Sequence, residues 1–368
     1  MSFAARSAPP YAGEWVADVG TAVRAHTGLA AVVLTYVLIA LTIGTVHGDA
    51  NRISLWLYGS LFTTSTGIIG VVFLLGRVFY ITFVVRPDQL WSAVVTDLRS
   101  HCLTRKRLLN ALPVIALLSM FDSVFTSMKA MIPVLHPYDW DATLMTWDKA
   151  VHFGVAPWQA LQPVLAYPML TGVINVFYNL WLFVLAGCWF WQAFTERDQR
   201  LRMQFFVTFV LCFAILGNLV ATLLASGGPC FYGHFVPGPD PYGPLLHYLH
   251  DANRQVGFVW STGVQDMLWN AYATNTSGLG SGISAMPSMH VAGSTLFALL
   301  GWRTSRAFGA ALTCYAAVIM LGSVHLGWHY AIDGYVGVFG TTALWWMVGV
   351  VVGGDGRYLT DQSARRRA

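Results

Sequence analysis

The chain has 368 residues, of which 56% are hydrophobic and only 10% charged, with 15 tryptophans and a net charge of +4. Soluble domains carry about a quarter charged residues, so this composition excludes an ordinary soluble protein and points to a polytopic membrane protein. The small positive excess gives no reason to expect a nucleic-acid partner, because the basic residues fall where membrane topology places them.

Met1–His26 carries two arginines, two acids and no short apolar core ahead of a cleavage site, so no cleavable signal peptide is expected. A membrane-crossing helix needs about 20 predominantly apolar residues. Eight segments qualify or nearly so: 29–46, 57–80, 108–128, 170–194, 203–225, 288–302, 307–325 and 331–352, of which 288–302 is short. With the N-terminus inside, sixteen of the 21 Lys and Arg fall on inner segments, and only Arg52, Lys129, Lys149 and Arg254 fall outside. Arg77 lies near an inner end, where it can snorkel. An odd number of spans would scramble that asymmetry. The sequence therefore predicts an all-α membrane protein of eight spans with both termini cytoplasmic.

Residues 1–107 read as a cytoplasmic tail, two accessory spans and a basic inner segment, whose 99–107 stretch suits anionic lipid. Residues 108–352 read as a six-span core with outer segments 129–165 and 226–286, and 353–368 as a cytoplasmic tail. No internal repeat is visible. The outer segment around Trp140, Asp141, Trp147, Asp148, Lys149 and His152 reads as a loop floated at headgroup level by its aromatic rings. The five cysteines are dispersed, with only Cys230 outside, so no disulfide within a subunit is expected. Asp122, Asn175, Asn179 and Asn218 lie inside spans, where polar groups commonly bond across helices.

The second outer segment ends in the glycine-rich stretch 277–282, followed by Pro287-Ser288-Met289-His290. Glycines before a helix let backbone N–H groups wrap an anion, and Pro287 suits the first helical turn. The stretch thus reads as an anion site at a helix N-terminus with His290 in its first turn. The second polar cluster is Ser323-Val324-His325-Leu326-Gly327-Trp328-His329-Tyr330-Ala331-Ile332-Asp333. The eight-span topology carries His290, His325, His329 and Asp333 to one membrane face. Polar groups in so apolar a chain are expensive without a task. On a helix, His329 and Asp333 share a face, so the aspartate would fix one imidazole nitrogen and free the other to attack. His290 would then supply a proton to the departing oxygen. Such a pair moves a phosphoryl group through a covalent intermediate without a metal or other cofactor.

The two stretches resemble the second and third signature motifs of the type-2 phosphatidic acid phosphatase superfamily, Pro-Ser-x-His on one helix and His-x-x-x-Asp on the next but one. The resemblance covers roughly residues 200–350. It implies a six-helix core, His329 as phosphohistidine nucleophile, His290 as proton donor, Asp333 as orienting partner and Ser288 as a phosphate contact. Two features depart from the phosphatase branch. Ser323 stands where that branch carries an arginine, and its first motif, a lysine followed by Arg-Pro, has no counterpart. Arg86-Pro87 lacks the lysine and lies inside. The weaker cation set, with Gly228-Pro229-Cys230-Phe231, looks more like the inositol phosphorylceramide synthase branch. His325, Lys149, Arg254 and His234 are the candidate replacement cations, with Ser323 beside the phosphate.

The expected activity is therefore transfer of a phosphorylated headgroup from a lipid phosphate or phosphodiester, phospholipid or sphingolipid, to a hydroxyl acceptor. The alternative is a lipid phosphate or diphosphate phosphatase with water as acceptor. Two rivals belong to other classes. His325, His329 and Asp333 form an i, i+4, i+8 set that suits a metal ion, though Pro-Ser-x-His would then be unexplained. A transporter would use intramembrane polar groups, but repeated halves and interrupted helices are absent. Arginine-rich, lysine-poor usage suggests a bacterial inner membrane, with the site facing the periplasm.

Overall fold

The computed structural model describes residues 12–354 except 277, 279 and 281. Ser277, Leu279 and Ser281 of the glycine-rich stretch and both terminal tails thus lie outside the described residues. Among the described residues the regular structure is helical, with no strand. In chain order the helices are α1 (Ala12–Val46), α2 (Gly59–Tyr80), α3 (Leu90–Asp97), α4 (Arg105–Leu135), α5 (Asp141–Val151), α6 (Pro157–Leu165), α7 (Pro168–Asn179) and α8 (Trp181–Phe194). They continue as α9 (Gln199–Leu211), α10 (Ala221–Leu223), α11 (Tyr232–Phe235), α12 (Gly243–Val256), α13 (Ser261–Ala273), α14 (Met289–Trp302), α15 (Arg306–His325) and α16 (Ala331–Gly354).

Seven helical stretches among these residues are long and apolar enough to cross a membrane: Ala17–Val46, Gly59–Val85, Arg105–Leu135, Pro168–Phe194, Gln199–Leu223, Arg306–His325 and Ala331–Gly354. The eighth expected span is α14, with 14 residues. At 1.5 Å per residue it is about 21 Å long, short of a hydrocarbon core of about 30 Å. It needs no lipid contact, because α15, α16, α9 and α8 sheathe it and Val291 to Ala298 are all buried. Gly337 makes the closest approach possible: a Cβ there would stand 2.9 Å from the Ser288 carbonyl oxygen.

Local chemistry sets the helix starts. Thr104, Asp198 and Ser305 are N-caps, accepting from Arg107 N, Leu201 N and Phe308 N respectively. All three cap the same end of the bundle, opposite the histidines. Pro157 and Pro168 open α6 and α7, positions where the missing N–H costs nothing.

The first span is less detached than an accessory helix. It packs on α4 and α9, and Arg202, fully buried, donates to Gln192 O at 3.0 Å and to Asn110 O, with His26 Nε2 3.1 Å away. Tyr36 donates to Asn218 Oδ1 across the same seam. Asn175 spans elements too, giving Nδ2 to Phe258 O at 3.0 Å and accepting from Ser261 N at 3.1 Å. By contrast, α2 buries none of its residues and presents its apolar surface outward.

Residues 129–165 do not form a floating loop. They fold as the end of α4 followed by α5 and α6, and Asp141, Leu144 and Asp148 of α5 are buried while Trp147 is exposed. Spacing of three and seven puts those three side chains on one helical face. That face is aimed at the site described next.

Candidate active site

Between α15 and α16 the chain reverses over residues 326–330. Gly327 adopts φ +75°, a left-handed conformation open to glycine without strain. Trp328 N and His329 N both donate to Ser323 O at 3.0 Å, closing the turn. The opposite wall is the 226–230 stretch, where Cys230 N donates to Gly327 O at 2.9 Å. Gly228, at φ +88°, lies so close that a Cβ would stand 2.6 Å from the Trp328 carbonyl oxygen. No other residue fits there.

His329 is 7% exposed at the head of this turn. Its Nδ1 lies 2.8 Å from Ala285 O and 3.4 Å from Asp333 Oδ2. Because a carbonyl oxygen only accepts, Nδ1 carries the proton and the neutral ring keeps its lone pair on Nε2. The close bond that sets this tautomer comes from a backbone carbonyl, with the Asp333 carboxylate adding charge from slightly farther away. Ala285 is itself pinned, N to Ser226 O at 2.9 Å, with Met286 N on Ser226 Oγ at 3.2 Å.

Asp333 is fully buried, accepts from Tyr330 N at 3.0 Å through Oδ2, and has no partner for Oδ1 among the described residues. Its backbone carbonyl accepts from Ser288 N at 3.1 Å. That bond joins the two polar stretches directly. Ser288 is the N-cap of α14, its hydroxyl oxygen accepting from Val291 N at 3.4 Å, which leaves the O–H free to donate. The helix begins at Met289, so Pro287 precedes the cap instead of occupying the first turn. His290, in that turn, is packed between Tyr178 (ring centroids 4.5 Å apart) and Trp181 (4.7 Å), and Trp181 Nε1 donates to its carbonyl at 2.9 Å.

Three residues that sequence reasoning had not placed here complete the surroundings. Asp141, fully buried, accepts from Gly227 N (2.7 Å) and Gly228 N (2.8 Å), and from the Tyr330 hydroxyl (2.8 Å). Asp148 Oδ1 accepts from Ile332 N at 3.1 Å, capping α16 from another helix. Burial raises both carboxyl groups above their ordinary pKa, and these N–H and O–H bonds offset part of the rise. The spacing of seven was a usable signal, masked by the neighbouring tryptophans. The third is Lys129, two turns before the end of α4, whose ammonium charge is felt at His290. No described residue forms an ion pair with it, and a Cβ at Gly282 would press on its backbone and stem.

The other expected cations are engaged elsewhere. His325 is fully buried with Nε2 2.9 Å from Thr171 Oγ1, which also meets Tyr248 OH at 2.7 Å. Ser323 donates its hydroxyl to Met320 O at 2.8 Å, so its contribution to the turn is its carbonyl. Arg254 pairs with Asp251 on an exposed face of α12, and His234 stacks on Trp269 at 3.7 Å. Lys149 is half-buried in the last turn of α5, and among the described residues no side-chain hydrogen bond or ion pair joins it to the histidines. The i, i+4, i+8 metal ladder does not form, because His325 ends α15 while Asp333 lies in α16. Among the described residues no group of three His, Cys, Asp or Glu side chains is arranged to hold a metal ion.

The family model of the PAP2 superfamily matches residues 142–347, more than half of the chain. The chain belongs to the PAP2 superfamily. No curated protein and no solved structure matches it. PAP2 membership and the apolar helices together make it a polytopic integral membrane protein with phosphatase- or phosphotransferase-type chemistry on lipid phosphates. The PAP2 match begins at 142, one residue after Asp141, so Lys129 and the first three spans lie ahead of it.

Proposed function

We propose that this PAP2 protein is a lipid phosphotransferase working through a phosphohistidine, with His329 as nucleophile. The observation that carries this reading is the His329 tautomer: Ala285 O and Asp333 hold Nδ1–H, leaving Nε2 with a lone pair. Nε2 attacks phosphorus, a P–N bond forms, and the P–O bond to the departing group breaks. His290 gives that oxygen its proton. An acceptor hydroxyl then attacks phosphorus, its proton passes to His290, and the P–N electron pair returns to Nε2. The ring becomes cationic in the intermediate, and the unpartnered Oδ1 of Asp333 leaves carboxylate charge available to offset it.

The phosphoryl oxygens need donors. Ser288 O–H, the first-turn N–H groups of α14 and Lys129 supply them in this reading. Lys129 then takes the place of the arginine that Ser323 lacks, and His325, Ser323, Lys149, Arg254 and His234 hold no phosphate. Buried and bonded away as it is, His325 supports the turn. Transfer is favoured over hydrolysis by the enclosure of His329 and by the reduced cation set, which looks like the inositol phosphorylceramide synthase branch. The site faces the periplasm of a bacterial inner membrane, with the chain's basic inner segments opposite.

The deciding experiment incubates purified protein with mixed lipid phosphates and diphosphates, with and without inositol and diacylglycerol or ceramide, and follows free phosphate and headgroup composition. The expected result is phosphate carried by the added hydroxyl acceptor, as a new phosphorylated lipid or polyol, with the dephosphorylated donor and no free phosphate. Free phosphate in proportion to lipid loss makes the protein a phosphatase, and no change in any phospholipid overturns both readings.

A further inference from the structure

A cavity of about 620 Å³ lies between the α1–α2 connection, the last turns of α4, the end of α13 and the extended residues Gly282 and Ile283. Its size falls in the range of about 300–1,000 Å³ typical of small-molecule sites. Most of it is built by residues ahead of the PAP2 match: Arg52, Ser54, Leu57 and the 126–138 stretch. The α1–α2 connection is fixed in place by side chains of α4, Ser123 Oγ accepting from Tyr58 N at 3.0 Å and Ser127 Oγ from Ser54 N at 3.1 Å. It also clamps the far wall. Arg52 donates to Asn275 Oδ1 at 3.2 Å, and the Tyr58 hydroxyl accepts from Gly280 N at 3.0 Å.

The lining has two characters. One part is hydroxyl and amide, from Ser54, Thr126, Asn275 and Thr276, with no carboxylate. Among the described residues Arg52 is the one charged side chain that lines it, and Asp49 pairs with it at 2.9 Å. The other part is apolar, Met131, Pro133, Val134 and Leu268, continuous with a helix that crosses the membrane. The wall at Gly282 abuts Lys129, and Ile283, held by Tyr138 at 2.8 Å, stands two residues before the carbonyl that orients His329. A polar end whose one cation is paired and an apolar end, with a wall that backs onto Lys129, fit an amphipathic molecule with a free hydroxyl.

We propose that this cavity binds the hydroxyl end of a neutral lipid, the acceptor of the phosphoryl group. The assignment rests on the transfer reading above. It gives the segment before the PAP2 match a role: the α1–α2 connection builds the acceptor site.

The test uses the full-length protein in nanodiscs and a diacylglycerol probe carrying a diazirine close to the glycerol, with peptide mapping after photolysis. Labelling is expected within 126–134 and 268–276, reduced at least tenfold by excess unlabelled diacylglycerol and by Ala271→Trp, which fills the cavity. Thr276→Trp fills it from another wall and decides the matter if Ala271→Trp does not fold, as judged by its thermal midpoint. Labelling elsewhere, or labelling unchanged in the folded cavity variants, overturns the proposal. His329→Ala is labelled alongside, because the probe reports binding without turnover. Normal labelling with no transfer by the wild type overturns the acceptor role, whereas transfer with no labelling here overturns only the location.

Discussion

The carboxylate of Asp141 accepts a hydrogen bond from the Tyr330 hydroxyl at 2.8 Å, one residue beyond His329, while its two oxygens also hold Gly227 N and Gly228 N. One side chain thereby ties three segments distant in sequence: α5, the glycine wall and the turn between α15 and α16. Removing it strands three donors. Each buried unpaired group costs about 1–3 kcal/mol, so Asp141→Ala should lower the unfolding free energy by several kcal/mol. Asp141→Asn keeps one accepting oxygen and should cost about half as much. Denaturant unfolding in detergent measures both, and equal losses in the two variants would contradict the accounting.

His329→Ala should reduce turnover by ~10⁶-fold, the scale seen when a covalent nucleophile is deleted, with the thermal midpoint nearly unchanged. Wild-type protein denatured at alkaline pH during turnover should carry base-stable phosphate that is released on acid treatment and that the variant lacks. Substantial activity in the variant would sink the phosphohistidine proposal. His290→Ala should fall by about 10²–10⁴-fold, the range of a lost general acid.

Lys129→Met should lower kcat/KM by about 10²-fold, comparable with loss of one donor to a developing anion. Lys129→Arg should restore most of it, because charge near His290 is what the position supplies. Arg254→Met and Lys149→Met should leave kcat/KM within about twofold, surface charges of this kind being worth little. If Lys149→Met proved as damaging as Lys129→Met, the cation assignment would need revision.

Stability should fall as pH rises above the ordinary carboxyl value of 3.8. Burial holds the Asp141 and Asp148 carboxyl groups above their ordinary value of 3.8, so the folded state binds protons more tightly than the unfolded chain. Their contribution is complete below that ordinary value and is lost as pH climbs through the raised ones. Asp148→Asn cannot titrate and should flatten the decline in a plot of thermal midpoint against pH. An unchanged slope would place the effect on other groups.

The sequence by itself determined the class of molecule and singled out the residues to which the proposal gives the chemistry. A chain this apolar has to satisfy its backbone inside the membrane, which allows helices, and seven of the eight expected spans correspond to long apolar helices. His290, Ser288, His329 and Asp333 were legible because short polar motifs stand out against apolar sequence. The tertiary structure decided what periodicity cannot express. The short α14 survives because neighbouring helices cover it on all sides, a property of packing and not of its own composition. The carbonyl of Ala285 orients His329 from 44 residues away, and backbone groups leave no signature in residue identity. Asp141 and Asp148 read as interfacial acids because burial depends on which face a short helix turns inward. Lys129 counted as one more outer charge until the fold set its backbone and stem against the Gly282 wall, whereas the fold gives His325 to Thr171 and Arg254 to Asp251.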